Sequence, residues 1–275
     1  MGEPLGDLRG GHAAVHVRII GSRFRSQLAY PASFALDLLA QFLAQGIELV
    51  ALLVVFGHVE TLGGFSFAEV ALMYGIAAAA FGLADMVAGQ IEELPELVRT
   101  GELDVYLLRP LGTLAQLLTA DIALRRLGRV IVGIAVYLWS LVVLAPAWSA
   151  ATVIVALTAP LVGAVLLGAI FVATNAVSFW LVDAREFANA FTYGSNFAMS
   201  YPLTIFGPTL RRILCFVVPS AFVAYFPALA IIGRPDPLGL PEAMRWGSPV
   251  AALAMVAAAA LVWRCGVRHY QGTGS

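Results

Sequence analysis

The chain contains no lysine; all 16 of its basic residues are arginine. A phosphate-binding loop of the Gly-x-x-x-x-Gly-Lys-Ser/Thr type needs a lysine to reach the nucleotide phosphates, so this chain carries none. Schiff-base chemistry through a lysine amine is excluded for the same reason. Charge of either sign is scarce. Only 12% of the 275 residues are charged, against about 25% in ordinary soluble domains. The net charge is -1, which leaves no broad basic field of the kind that attracts nucleic acid. His12, His16, His58 and His269 are scattered, and no spacing of His, Cys, Asp or Glu outlines a metal cage. No Gly-x-Ser-x-Gly, His-Glu-x-x-His or paired-carboxylate arrangement is present. The chain is therefore expected to hold no cofactor and to catalyse nothing by itself.

What it has in excess is apolar sequence: 60% hydrophobic residues, with a mean hydropathy of +0.87. A soluble core cannot hide that much apolar surface in a chain of this length. A membrane helix needs about 20 largely apolar residues. Stretches that qualify fall at 32–56, 67–88, 130–144 (short), 152–182, 187–206 and 249–263. A further apolar stretch, 213–232, is interrupted by Pro219 and Pro227 and preceded by Arg211 and Arg212. No apolar run precedes residue 32, which argues against a cleaved signal peptide.

The distribution of arginine arbitrates the topology, because cytoplasmic segments retain the positive charge. With six spans and both termini inside, the inner segments hold Arg9, Arg18, Arg23, Arg25, Arg99, Arg109, Arg125, Arg126, Arg129, Arg185, Arg264 and Arg268. The outer segments hold Arg211, Arg212, Arg234 and Arg245. If 213–232 crossed fully there would be seven spans, and Arg264 and Arg268 would lie outside. The region 207–246 is therefore expected to dip into the outer leaflet as re-entrant helices, which is tolerated where protein or a cavity covers the backbone. On this topology Cys215 and Cys265 lie on opposite sides and form no disulfide. Residues 15–28 mix Arg with Val, Ile, Phe and Leu. They read as an amphipathic helix in the inner interface or, more simply, as a positive flank that sets orientation. The expected fold is thus an all-α integral membrane protein of one domain, 1–275. Residues 1–31 are interfacial and 90–129 form a long inner loop.

That loop, IEELPELVRTGELDVYLLRPLGTLAQLLTADIALRRLGR from Ile91 to Arg129, is the most charged part of the chain. Leu94, Leu97 and Val98 make one apolar patch; Leu103, Leu107, Leu108 and Leu111 make a second. Glu92, Glu93, Glu96, Glu102 and Asp104 frame them. Apolar patches rimmed by acids suit docking into a groove on a partner protein, but leucines packed on the bundle would leave the same pattern. Within the spans, Glu48 is the deepest acid, where an ionisable group is expensive and often functional. It is a candidate for a translocation path together with Asn175 and Asn196, or else an acid hydrogen-bonded to one of those two. Asp37 and Asp85 fall near the inner ends of their spans. Small residues in 164–168 and 257–260 permit close helix packing.

The run Val98-Arg99-Thr100-Gly101-Glu102-Leu103-Asp104, followed by Tyr106-Leu107-Leu108-Arg109-Pro110-Leu111, resembles the I-R-x-G-E-L-D-x-x-L-L-R-P signature of ABC-2-type permeases, in the branch of small six-span members. Arg25-Ser26-Gln27-Leu28-Ala29-Tyr30, Tyr201-Pro202, Pro219, Tyr225 and Pro227 extend the resemblance over most of the chain; Pro31 departs from it where a basic residue is common. The resemblance implies six spans, cytoplasmic termini, a bacterial cell-membrane location and re-entrant helices before the last span. It also implies a coupling helix seated in a separate ATPase subunit that holds ATP and Mg. The residues this assigns to coupling are Glu92, Glu93, Leu94, Glu96, Leu97, Arg99, Gly101, Glu102, Leu103, Asp104, Tyr106, Leu108, Arg109 and Pro110. A second permease, identical or paralogous, would complete the complex, and export of an amphipathic or hydrophobic compound is the implied activity. A gradient-driven transporter would call for inverted repeats or paired broken helices, and neither is visible. A membrane scaffold makes no sequence demand that this chain fails.

Overall fold

The computed structural model describes residues 31–109, 112–120, 126–181 and 184–270. The expected interfacial helix at 15–28, the motif at 25–30, Pro110, Leu111, Arg125 and Asp183 lie outside the described residues. The regular secondary structure of the described residues is helical, apart from one isolated bridge, Leu62 with Phe65.

Helix α1 (Pro31–Phe56) starts on proline, which suits a first turn. A tight turn follows, with Gly63 and Gly64 at φ 60° and 87°. A side chain at Gly63 would be strained there, and its Cβ would stand 2.2 Å from Thr204 Oγ1. Helix α2 (Phe67–Ala88) opens where the Ser66 N–H donates to Glu69 Oε2 at 2.7 Å. Every residue from Val70 to Gly82 is buried, as expected of a helix apolar on all sides. It is the axis of the molecule.

Helix α6 (Leu127–Leu144) lies against α2 backbone to backbone. A Cβ on Gly75 would stand 2.6 Å from Tyr137 N, and one on Gly133 would stand 2.4 Å from Ala79 N. Glycine on both helices thus makes the close approach that membrane helices rely on in place of a hydrophobic drive. Helix α7 (Ala150–Asn175) covers another side of α2, with α11 (Ser248–His269) behind it. Helix α1 rests mainly on α6 and exposes Leu36, Leu43, Ile47 and Val50. Such faces belong in lipid.

Among the described residues, five helices are long and apolar enough to cross a membrane: α1, α2, α6, α7 and α11. The expected fifth span at 187–206 is shorter than the sequence implied. Helix α8 (Ala184–Met199) has 16 residues, about 24 Å at 1.5 Å each, short of a hydrocarbon core of about 30 Å. It ends ahead of Pro202 and includes Asn189, Thr192, Ser195 and Asn196, so it falls outside the five. Helix α7 also stops early, at Asn175, and continues as a 3-10 turn, Ala176–Phe179.

A sixth crossing exists only if a bent pair counts as one. Residues 208–217 and 220–232 meet at 73°. The first arm is α9 (Pro208–Arg212) running into a π-turn, Ile213–Val217; the second ends in α10 (Tyr225–Ile232). The bend falls at Pro219, which has no N–H to continue a helix. Pro227 does not interrupt the chain as the sequence implied, because it sits in the first turn of α10, where no intrahelical donor is needed.

The end of the molecule built from this region is closely tied. Tyr225 donates to Asp236 Oδ1 at 2.6 Å, and Asp236 also accepts from the N–H groups of Leu238 and Leu240. Arg234 pairs with Glu69 at 3.2 Å and lies 4.5 Å over the Phe65 ring. Arg245 donates to Arg234 O and pairs with Glu242. Arg211 donates to the carbonyls of Leu203 and Thr204. Only Arg212 of these arginines is exposed.

Candidate functional site

At the opposite end, the loop folds into short helices. A 3-10 turn (Gly89–Glu93) leads into α3 (Leu94–Thr100), with Pro95 in its first turn. Gly101 closes α3 at φ 77°, the left-handed cap that glycine supplies without strain. Helix α4 (Leu103–Leu107) follows, and α5 (Thr113–Ala120) precedes the return to α6. Gly101 thus separates two short helices of the loop.

The leucines of the loop divide into two groups. Leu94 and Leu103 are fully buried, as are Ile91 and Pro95. Leu97, Val98 and Tyr106 are half-buried against the same core. Leu108 is 86% exposed and Val105 52%. Around α4, Glu102, Val105, Leu108 and Arg109 fall three and four residues apart, which puts them on one side. All four are exposed, and Leu103 faces the core. Of the residues tied to coupling by sequence, Glu102, Leu108 and Arg109 thus share an open face, with Arg109 also 5.6 Å over Tyr106. Leu94, Leu103 and partly Tyr106 root the loop instead. Val105 was missed; its spacing from Glu102 was the available signal. Glu96 and Arg99 bond each other, Nε to Oε2 at 3.0 Å, and Glu93 is exposed. Asp104 lies beside Tyr270 at the end of α11, and burial, with that carboxylate, pushes the Tyr270 phenol up.

Two polar ties join this loop to the spans. Arg126 donates to both the carboxylate and the carbonyl oxygen of Asp85 at the end of α2. Tyr193 of α8 donates to Glu92 Oε1 at 3.2 Å. With Leu94 and Leu103 in the core, the loop is fastened to α2 and α8 by packing and charge together.

The candidates within the spans are only partly brought together. Asn175 is buried and donates to Phe171 O of its own helix at 2.9 Å, apart from the others. Asn196 accepts from Arg129 Nη2 at 2.8 Å. Glu48 is exposed on α1 and bonds neither asparagine; its partner is the Tyr74 hydroxyl, at 3.4 Å. Arg129 and Tyr74 were not among the sequence candidates. Arg129 read as one more arginine of the membrane return, although it falls three residues after Arg126 on the same helical face.

Long apolar helices, a bent apolar pair and a polar, rooted loop at one end mark a multi-pass membrane protein. A family model described as ABC-2 family transporter protein matches residues 42–274. The chain belongs to that family. No curated protein and no solved structure matches it significantly.

Proposed function

We propose that the chain is the membrane permease of an ATP-driven exporter, and that a separate ATPase subunit seats on the face formed by Glu102, Val105, Leu108 and Arg109. The observation that carries this reading is the split of the loop into a buried root and an open apolar face with one acid and one arginine. An exposed leucine on a well-anchored helix suits a partner groove, and the flanking charges suit register and steering. ATP and Mg bind the partner, and the lysine-free permease contributes force transmission. Closure of the ATPase dimer drags α3 and α4. Because Leu94, Leu103, Glu92–Tyr193 and Asp85–Arg126 fasten that loop, the pull passes to α2 and α8 rather than being absorbed. The permease then shifts between two arrangements, as two-state coupling requires.

The same reading puts the loop and both termini in the cytoplasm of a bacterial cell, with 208–232 as re-entrant helices at the far side. The arginines support it: those near the loop and at the end of α11 are numerous, and the far ones are mostly bonded within the protein. A second permease, identical or paralogous, lies alongside, and lipid surrounds the apolar faces. The cargo is amphipathic or hydrophobic, in keeping with spans that hold few charges. Affinity purification of the tagged chain from its own host, with identification of every co-purifying protein, tests this. A stoichiometric ATPase with a phosphate-binding lysine is the expected result. Recovery of the chain alone after crosslinking in the intact membrane would sink the reading.

A further inference from the structure

Arg129 is unlike most of the arginines that the structure ties down; Arg211 also has no carboxylate, but it donates to two carbonyls. Arg99, Arg126, Arg234 and Arg245 each pair with a carboxylate. Arg129 pairs with none among the described residues. It gives one hydrogen bond, to Asn196, and lies 4.1 Å over the Phe81 ring. Its Nε is buried with no partner. A guanidinium has five donors and does not lose its charge, so inside a bundle this one lacks an anion.

Glu48 shows the converse. It is exposed on α1 and has no cationic partner among the described residues; only the Tyr74 hydroxyl, shared with Gln45, reaches it. Glu48 and Arg129 form no ion pair with each other. Tyr74, which bonds Glu48, and Phe81, under Arg129, lie seven residues apart on α2 and so on one face of it, which sets the two charges along the same side of that helix. The rings of Tyr74, Phe81 and Tyr201 accompany them. Two opposite charges held apart beside aromatic rings match a ligand that carries both signs. Arg129 would take an acidic group such as phosphate, and Glu48 with the tyrosines an ammonium group.

We propose that Arg129 and Glu48 form a receptor for the zwitterionic head group of an amphiphile. This rests on the transporter reading, since it names the class of cargo. Its test needs no ATPase, however, so it can fail while ATPase docking stands, and the reverse.

The test is binding to the purified full chain held in amphipol, with four probes that share a dodecyl tail: dodecylphosphocholine, dodecyl phosphate, dodecyltrimethylammonium and dodecyl maltoside. The zwitterion is expected to bind tightest, by about tenfold over the neutral maltoside. Arg129→Gln should lower phosphocholine binding to the level of the ammonium probe, and Glu48→Gln to that of the phosphate probe. Arg129→Lys, which keeps the charge, should recover part of the affinity and guards against a folding artefact; Arg212→Gln should change nothing. Equal binding of all four probes would overturn the proposal. So would unchanged head-group preference in Arg129→Gln and Glu48→Gln, or a self-crosslink showing that a second copy supplies the missing partners.

Discussion

The two ends of the molecule use similar residues in opposite ways. At the end built from 208–247, Arg211, Arg234 and Arg245 bond to carbonyls, to Glu69 and to Glu242, and Tyr225 is locked to Asp236. Little polar capacity faces outward. At the loop end, Arg126 is bonded inward to Asp85, but Glu102, Leu108 and Arg109 face out together. Density of charge alone does not distinguish a cap from a docking surface; what distinguishes them is whether the charges already have partners. An arginine that is satisfied within its own chain contributes to folding, and an unsatisfied one beside an exposed leucine contributes to recognition.

Substitutions can sharpen or break this contrast. The largest effect is expected inside the loop. Leu103→Ala removes a fully buried side chain and should cost about 3 kcal/mol, whereas Leu108→Ala should stay within about 0.5 kcal/mol; thermal unfolding in detergent compares them. If both destabilised equally, the division into root and open face would be lost. Next, Arg234→Ala removes the pair with Glu69 and the contact with Phe65. It should cost about 2 kcal/mol and leave ATPase association unchanged in a pull-down. Weakened association there would show that the far end also takes part in docking. Smallest, Gly101→Ala forces a Cβ into the left-handed cap and should cost about 1 kcal/mol. Because that cap sets the angle between α3 and α4, it should loosen ATPase association more than it lowers stability.

Much of the fold was legible because spans obey one rule. The bounds of α2 could be read from its apolar stretch, 67–88. Other features depend on neighbours that a sequence does not show. That Leu94 and Leu103 turn inward while Leu108 turns outward follows from where α3 and α4 lie on the core. Composition drew attention to the small residues of the fourth and sixth spans. The close backbone approach at Gly75 and Gly133, between α2 and α6, depends on which helices are adjacent. The shortness of α8 was hidden because Tyr201, Leu203, Ile205 and Phe206 keep the sequence apolar after the helix has ended at Met199. Arg129 looked like a loop arginine because only the packed bundle puts Phe81 and Asn196 around its head and leaves its Nε unpaired.

The most direct test of the account is site-specific photocrosslinking in the intact membrane, with a photoreactive phenylalanine placed at Leu108 or at Arg212 in turn. Both positions are exposed, at opposite ends of the molecule. The account predicts a crosslink to an ATPase subunit from position 108, stronger when ATP is present, and none from position 212. Crosslinking from 212 but not from 108, or from neither, would contradict it.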